Sequence, residues 1–140
     1  MYFLKLATVE DTETVLGLIE ELFNESIYSK SMSFDRDSVK EIFLQVLNGP
    51  KDKSSIILLR SEDKTVGLLA CSVLQQLFNK NERTACELVF WVQPECRNII
   101  TLKKLLQAYR FWAKKVGCTS IMYGKMKSKY EVETYVLRKL

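Results

Sequence analysis

Residues 85–123 do most to limit the folds open to this chain. Ala85–Val92 (ACELVFWV) is a β-prone apolar run that stops at Pro94. From Ile99 to Val116 the spacing turns helical. Leu102, Leu105, Leu106, Tyr109, Trp112, Ala113 and Val116 share one face, and Lys103, Lys104, Gln107, Arg110, Lys114 and Lys115 share the other. Gly117 suits the left-handed residue after a helix, and Thr119–Tyr123 (TSIMY) is a further strand. A strand–helix–strand unit implies a parallel pair joined by a right-handed crossover. Any sheet in this protein therefore contains a parallel pair and carries a helix on one face.

The upstream segments supply the remaining elements. Tyr2–Leu6 is a short strand. Thr8 and Asp11 form a capping pair ahead of Val15, Leu18, Ile19, Leu22 and Phe23, which recur at helical spacing up to Ser26. Ile27–Phe34 is a serine-rich loop. Asp35 or Asp37 caps a second helix, striped by Val39, Ile42, Phe43, Val46 and Leu47 and stopped by Asn48-Gly49-Pro50. Ser55–Arg60, Thr65–Gln76 and Ala85–Val92, joined by short polar turns, predict an antiparallel meander. Tyr130–Leu140 is taken as a last helix, with Val132, Tyr135, Val136 and Leu140 on one side. The predicted order is β-α-α-β-β-β-α-β-α, an α/β (α+β) fold with a mixed sheet and helices on both faces.

Composition narrows the chemistry. At 140 residues, 1–140 is expected to be one domain. No run is long and apolar enough for a transmembrane span, and MYFLKLATVED lacks the apolar core of a signal peptide, so a cytoplasmic location is expected. The chain has no histidine, which removes His-dependent nucleophilic catalysis and the usual histidine metal sites. No metal is expected. Cys71, Cys86, Cys96 and Cys118 form no CxxC pair and are expected to be reduced interior thiols; a nucleophilic Cys96 beside Arg97 is the alternative. Residues 1–50 carry 4 basic and 9 acidic side chains, whereas 97–140 carry 11 basic and 2 acidic. That asymmetry points the C-terminal part toward an anionic partner. Nucleic acid is disfavoured, because no recognised motif accompanies the charge.

The stretch FWVQPECRNIITLKKLL (90–106) runs from strand through turn to helix, as a phosphate-binding turn does, but holds no glycine. With the opening LATVEDTETVLGLIEELF and the later ELVFWVQPECR and FWAKKVGC, it resembles the GCN5-related N-acetyltransferase (GNAT) family over nearly the whole chain. The Arg97–Trp112 style is most similar to versions encoded by bacteriophages. The resemblance implies acetyl-CoA as co-substrate and an amine as acceptor. It puts the pantetheine arm against a bulged central strand at Phe90, Trp91 and Val92. The family's pyrophosphate turn, Arg/Gln-x-x-Gly-x-Gly/Ala, falls on Arg97, Asn98, Ile99, Ile100, Thr101 and Leu102, with Lys103 adding charge. Arg97 matches, while Ile100 and Leu102 fill the small positions, where glycine would let phosphate approach the backbone.

For catalysis the resemblance offers Glu87 as general base on the central strand and Tyr135 as the acid for the leaving thiolate. Tyr135 lies two residues from the family's tyrosine place, which Leu137 occupies. The expected function is N-acetyl transfer. The alternative is a non-catalytic structural or interaction protein, such as a phage virion component or a host-directed inhibitor. Relative to the family, the last two strands are missing. An open sheet edge is therefore expected beside 119–123, covered by a second copy or a protein partner. Lys125, Lys127 and Lys129 could instead guard a bare edge.

Overall fold

The computed structural model describes the backbone of residues 1–126 and 132–140 and the side chains of 1–124 and 136–140. Strand β1 (Tyr2–Leu6) leads through a short 3-10 turn into helix α1 (Thr12–Glu25). The Thr8 N–H donates to the Asp11 carboxylate at 2.8 Å, and Lys5 pairs with the same carboxylate at 3.0 Å. Helix α2 (Arg36–Asn48) starts where the Asp35 carboxylate accepts the Ser38 N–H. Strands β2 (Ser54–Ser61), β3 (Lys64–Gln75) and β4 (Arg83–Val92) follow, and then helix α3 (Ile99–Lys115). Gly117, at φ 86°, lets the chain leave α3 and enter strand β5 (Ser120–Met126).

With a last strand β6 (Val132–Lys139), the sheet runs β1-β2-β3-β4-β5-β6, and among the described residues only the β4–β5 pair is parallel. Its two faces are covered separately. Leu105, Tyr109 and Ala113 of α3 pack on Leu69, Cys71, Ala85, Val92 and Ile121. Val15 and Leu18 of α1 and Phe43 of α2 pack on Ile56, Leu58, Leu68 and Trp91. The alternation of β-strand side chains divides each strand between these two cores. The mixed α+β sheet with helices on both faces is the architecture expected from the sequence.

The last element differs from expectation. Residues Val132–Lys139 form strand β6, which pairs antiparallel with β5 from Ser120↔Lys139 to Met126↔Val132. Tyr130 and Glu131 of the expected helix lie outside the described residues, as do Lys127 and Lys129. Val132, Tyr135 and Val136 satisfy helical spacing, but VETYV is also rich in β-branched residues and alternates well enough to pair. The correction carries a second one. The edge beside 119–123 is covered by the chain's own β6, so no second copy or partner is needed to pair it.

Gly67 marks the tightest approach in the sheet. A Cβ there would stand 2.9 Å from the Trp91 carbonyl oxygen and 3.1 Å from Val92 Cγ2. Gly67→Ala is expected to destabilise the protein by about 1–3 kcal/mol, as overpacking does. Urea unfolding measures it, and an unchanged midpoint would contradict the packing.

Candidate active site

The site is built from a misfit in β4. Register runs Ala70↔Val89 and then Cys71↔Glu87, so Leu88 has no counterpart on β3. An extra residue of this kind bends its strand and sharpens the twist. On the other side, β4 pairs with β5 only through Thr84–Cys86 and Ser120–Met122. Beyond Cys86 the parallel strands part, and among the described residues no strand pairs with Glu87–Val92 on that side. The Gln93 N–H donates to the Val66 carbonyl at 2.9 Å. By antiparallel alternation, Trp91 then turns its backbone groups to β3, and Phe90 and Val92 turn theirs to the opening. The bulge also reverses side-chain parity: Phe90 and Val92 join the core under α3, and Val89 and Trp91 join the core under α1.

Glu87 stands where the strands part and is half-buried. Burial pushes its carboxyl up to about 7, and the Gly124 N–H of β5 pulls the other way. The buried Tyr109 hydroxyl donates to the Met122 carbonyl at 2.7 Å and so ties α3 to β5 just before the strands separate. Burial raises the Tyr109 phenol, and the neighbouring thiols and Glu87 add to the shift. Burial acts the same way on three thiols: it pushes Cys71 up to about 12 and also raises Cys86 and Cys118, which disfavours their thiolates. Sequence reasoning found Glu87 but missed Gly124 and Tyr109. Tyr109 reads as one more apolar-stripe residue, and Gly124 acts through its backbone.

The turn after β4 is closed upon itself. Asn98 caps α3, and its side-chain oxygen accepts the N–H groups of Ile100 (2.9 Å) and Thr101 (3.0 Å). Thr101 is fully buried, and its hydroxyl donates to the Cys96 carbonyl at 2.8 Å. The Arg97 guanidinium is also engaged. Its Nε donates to the Val92 carbonyl at 2.7 Å, Nη2 pairs with Glu25 at 3.3 Å, and the group lies 4.3 Å above the Trp91 ring centroid. Ile99 (65% exposed), Ile100 (60%) and Leu102 (39%) stand outward at this end of the helix, and Lys103 is exposed beside them. The residues expected to grip a pyrophosphate are thus together in space, but the donors of Arg97, Ile100 and Thr101 serve the protein.

Tyr135 belongs to β6, opposite Gly124 in register. The helical ending that suggested its acid role is replaced by a strand, and its side chain lies outside the described residues. Two clefts, of about 440 and 330 Å³, open on the α1 side; Gln93 and Glu21 line both, and Glu87 lines neither.

No protein-family model matches the sequence, and no curated protein is similar to it. Solved structures are similar in fold at low identity. AAC(6')-Iy in complex with the bisubstrate analogue CoA-S-monomethyl-acetylneamine superposes with a TM-score of 0.75 at 14% identity, over 91% of this chain and 82% of that one. A GNAT family acetyltransferase of Staphylococcus aureus gives 0.70 at 19% identity, over 95% and 93%. A predicted acetyltransferase from Clostridium acetobutylicum, solved with acetyl-CoA, gives 0.72 at 13%, over 91% and 82%. This chain shares its fold, a mixed sheet with helices on both faces, with these GNAT acetyltransferases.

Proposed function

We propose that this chain is an N-acetyltransferase that moves an acetyl group from a pantetheine thioester, acetyl-CoA in the simplest case, to an amine. The observation that carries the reading is Glu87: a carboxylate with a pKa near 7 held at the mouth of the parted strands. A base poised near neutrality can take a proton from an ammonium before attack, or from the amine nitrogen as it attacks, directly or through one water. The backbone groups of Phe90 and the Val92 N–H, which face the opening, would bind the thioester's amide-rich arm as an added strand would be bound, while the Val92 carbonyl stays with Arg97. The amine nitrogen attacks the thioester carbonyl, the C–N bond forms, the C–S bond breaks, and the thiolate takes up a proton. Solved relatives in fold that hold CoA derivatives or acetyl-CoA support the donor class.

The test is acetyl transfer from acetyl-CoA to a panel of primary amines, read by mass spectrometry. Acetylated product is expected. No product and no bound thioester at millimolar donor would favour the second reading, an interaction protein such as a virion component or a host-directed inhibitor. One observation favours that reading: the Arg97 Nε and the Ile100 and Thr101 N–H groups of the turn already have partners within the protein.

A further inference from the structure

We infer that the acyl donor is presented on an acidic carrier protein bearing acyl-phosphopantetheine, rather than as free CoA. The inference rests on the acyltransferase reading above and names its donor. Two independent features of the chain lead to it.

The first is an asymmetry between the two ends of the donor site. The part that would hold a pantetheine arm is open, because β4 and β5 separate after Cys86 and the backbone groups of Phe90 and the Val92 N–H face the gap, the Val92 carbonyl alone being held by Arg97. The part that would hold the ADP end is filled by the protein's own side chains. A diphosphate reaching the N–H groups of Ile100 and Thr101 must displace the Asn98 cap. Recruiting Arg97 would strip the Val92 carbonyl and Glu25 of their partner. A pantetheine arm without its nucleotide meets neither obstacle.

The second is the outer face of α3, which begins at the mouth of the same opening. The helix holds five cations, Lys103, Lys104, Arg110, Lys114 and Lys115, and no acidic residue. None of the five makes an ion pair among the described residues. At 17 residues the helix is roughly 25 Å long, enough to lie along a small helical protein. At its start, Ile99 and Ile100 stand exposed, one turn before Lys103 and Lys104. Apolar contacts within a charged rim are how a specific protein interface is made. Charge complementarity asks for an acidic partner, and the opening beside it asks that the partner carry a pantetheine thioester. The step balances: the acceptor nitrogen takes the acyl group, its proton passes to Glu87 and then to the thiolate, and the carrier leaves as the free thiol.

The experiment compares three donors on the full chain by calorimetry and by transfer: acetyl-pantetheine, acetyl-CoA, and a bacterial acyl carrier protein loaded with acetyl-phosphopantetheine. Acetyl-CoA is expected to bind within about threefold of acetyl-pantetheine, because the Ile100 and Thr101 N–H groups and Arg97 are already engaged and the exposed lysines nearby offer a diphosphate only solvent-screened charge. The loaded carrier is expected to bind at least about tenfold tighter at low salt, with the advantage lost as salt screens it. The double variant Lys104→Glu and Arg110→Glu should remove that advantage and leave acetyl-pantetheine binding and the melting temperature unchanged. Acetyl-CoA binding about 100-fold tighter than acetyl-pantetheine would overturn the inference, since that is the scale of two gripped phosphates. So would an unloaded carrier that binds as tightly as the loaded one, or a carrier indifferent to the charge reversal. If no donor binds or transfers, the acyltransferase reading itself falls.

Discussion

Glu87→Gln is expected to lower acetyl transfer about 10²–10⁴-fold, the range for loss of a general base. It is also expected to stabilise the fold above neutral pH. The parent's rate should rise with pH and level off above about 7, where burial has moved the carboxyl; the variant should lose that limb. The stability effect follows from the same shift. A carboxyl raised from 4.5 to about 7 on folding binds more protons in the native state between those values. Stability then falls as pH rises through that window. The Gln variant has no such fall and should be more stable than the parent at pH 8 by roughly 1–2 kcal/mol, less than the full shift implies, because solvent screens a half-buried group. Asp11 acts at lower pH and with opposite sign. Burial opposes its charge, but the Thr8 N–H, Lys5 and the Thr8 hydroxyl outweigh burial and hold its pKa below the ordinary value, so its contribution is lost as pH falls through that depressed pKa. Denaturant titrations of parent and variant at pH 5 and 8 separate the two. A variant with equal turnover, or with no gain at pH 8, would remove Glu87 from the proposed role.

Arg97→Ala should act on the fold rather than on the donor. The side chain ties the end of β4 to α1 through the Val92 carbonyl, Glu25 and the Trp91 ring. Its loss leaves one carbonyl unpaired and strips a cation from an aromatic face, together about 2–3 kcal/mol. The Glu25 contact adds little, since both partners are partly exposed. Affinity for acetyl-pantetheine should stay within about threefold of the parent. Chemical denaturation and calorimetry on one preparation decide it. An undiminished stability together with a large loss of donor affinity would mean that Arg97 leaves its internal partners to bind ligand.

Much of this was legible in the sequence, and the reasons differ by element. The stripes of α1, α2 and α3 are long enough for helical periodicity to be unambiguous, and Asp35 and Gly117 mark their ends. The parallel pair followed from one strand–helix–strand unit. The end of the chain was not legible. Eleven residues with apolar positions at 132, 135, 136 and 140 fit a helix, and only pairing with β5 selects the strand. The open edge and the role of Tyr135 were drawn from that helix, and both went with it. At the site, the sequence located Glu87 and the turn. It could not locate the bulge, because Leu88 is surplus only relative to β3. It also could not show that the turn is satisfied from within. Asn98 is a common capping residue, but only the structure shows that its oxygen takes the two N–H groups an anion would use.

The most direct test of the central claim needs no acceptor. Backbone amide resonances are followed while acetyl-pantetheine is titrated into the ¹⁵N-labelled protein. The account predicts shifts concentrated on residues 87–92 and on Gly124, where β4 and β5 part, with little change at Ile100 and Thr101. Shifts centred instead on the α1-side clefts around Glu21 and Gln93, or none at millimolar thioester, would contradict a donor site between the parted strands.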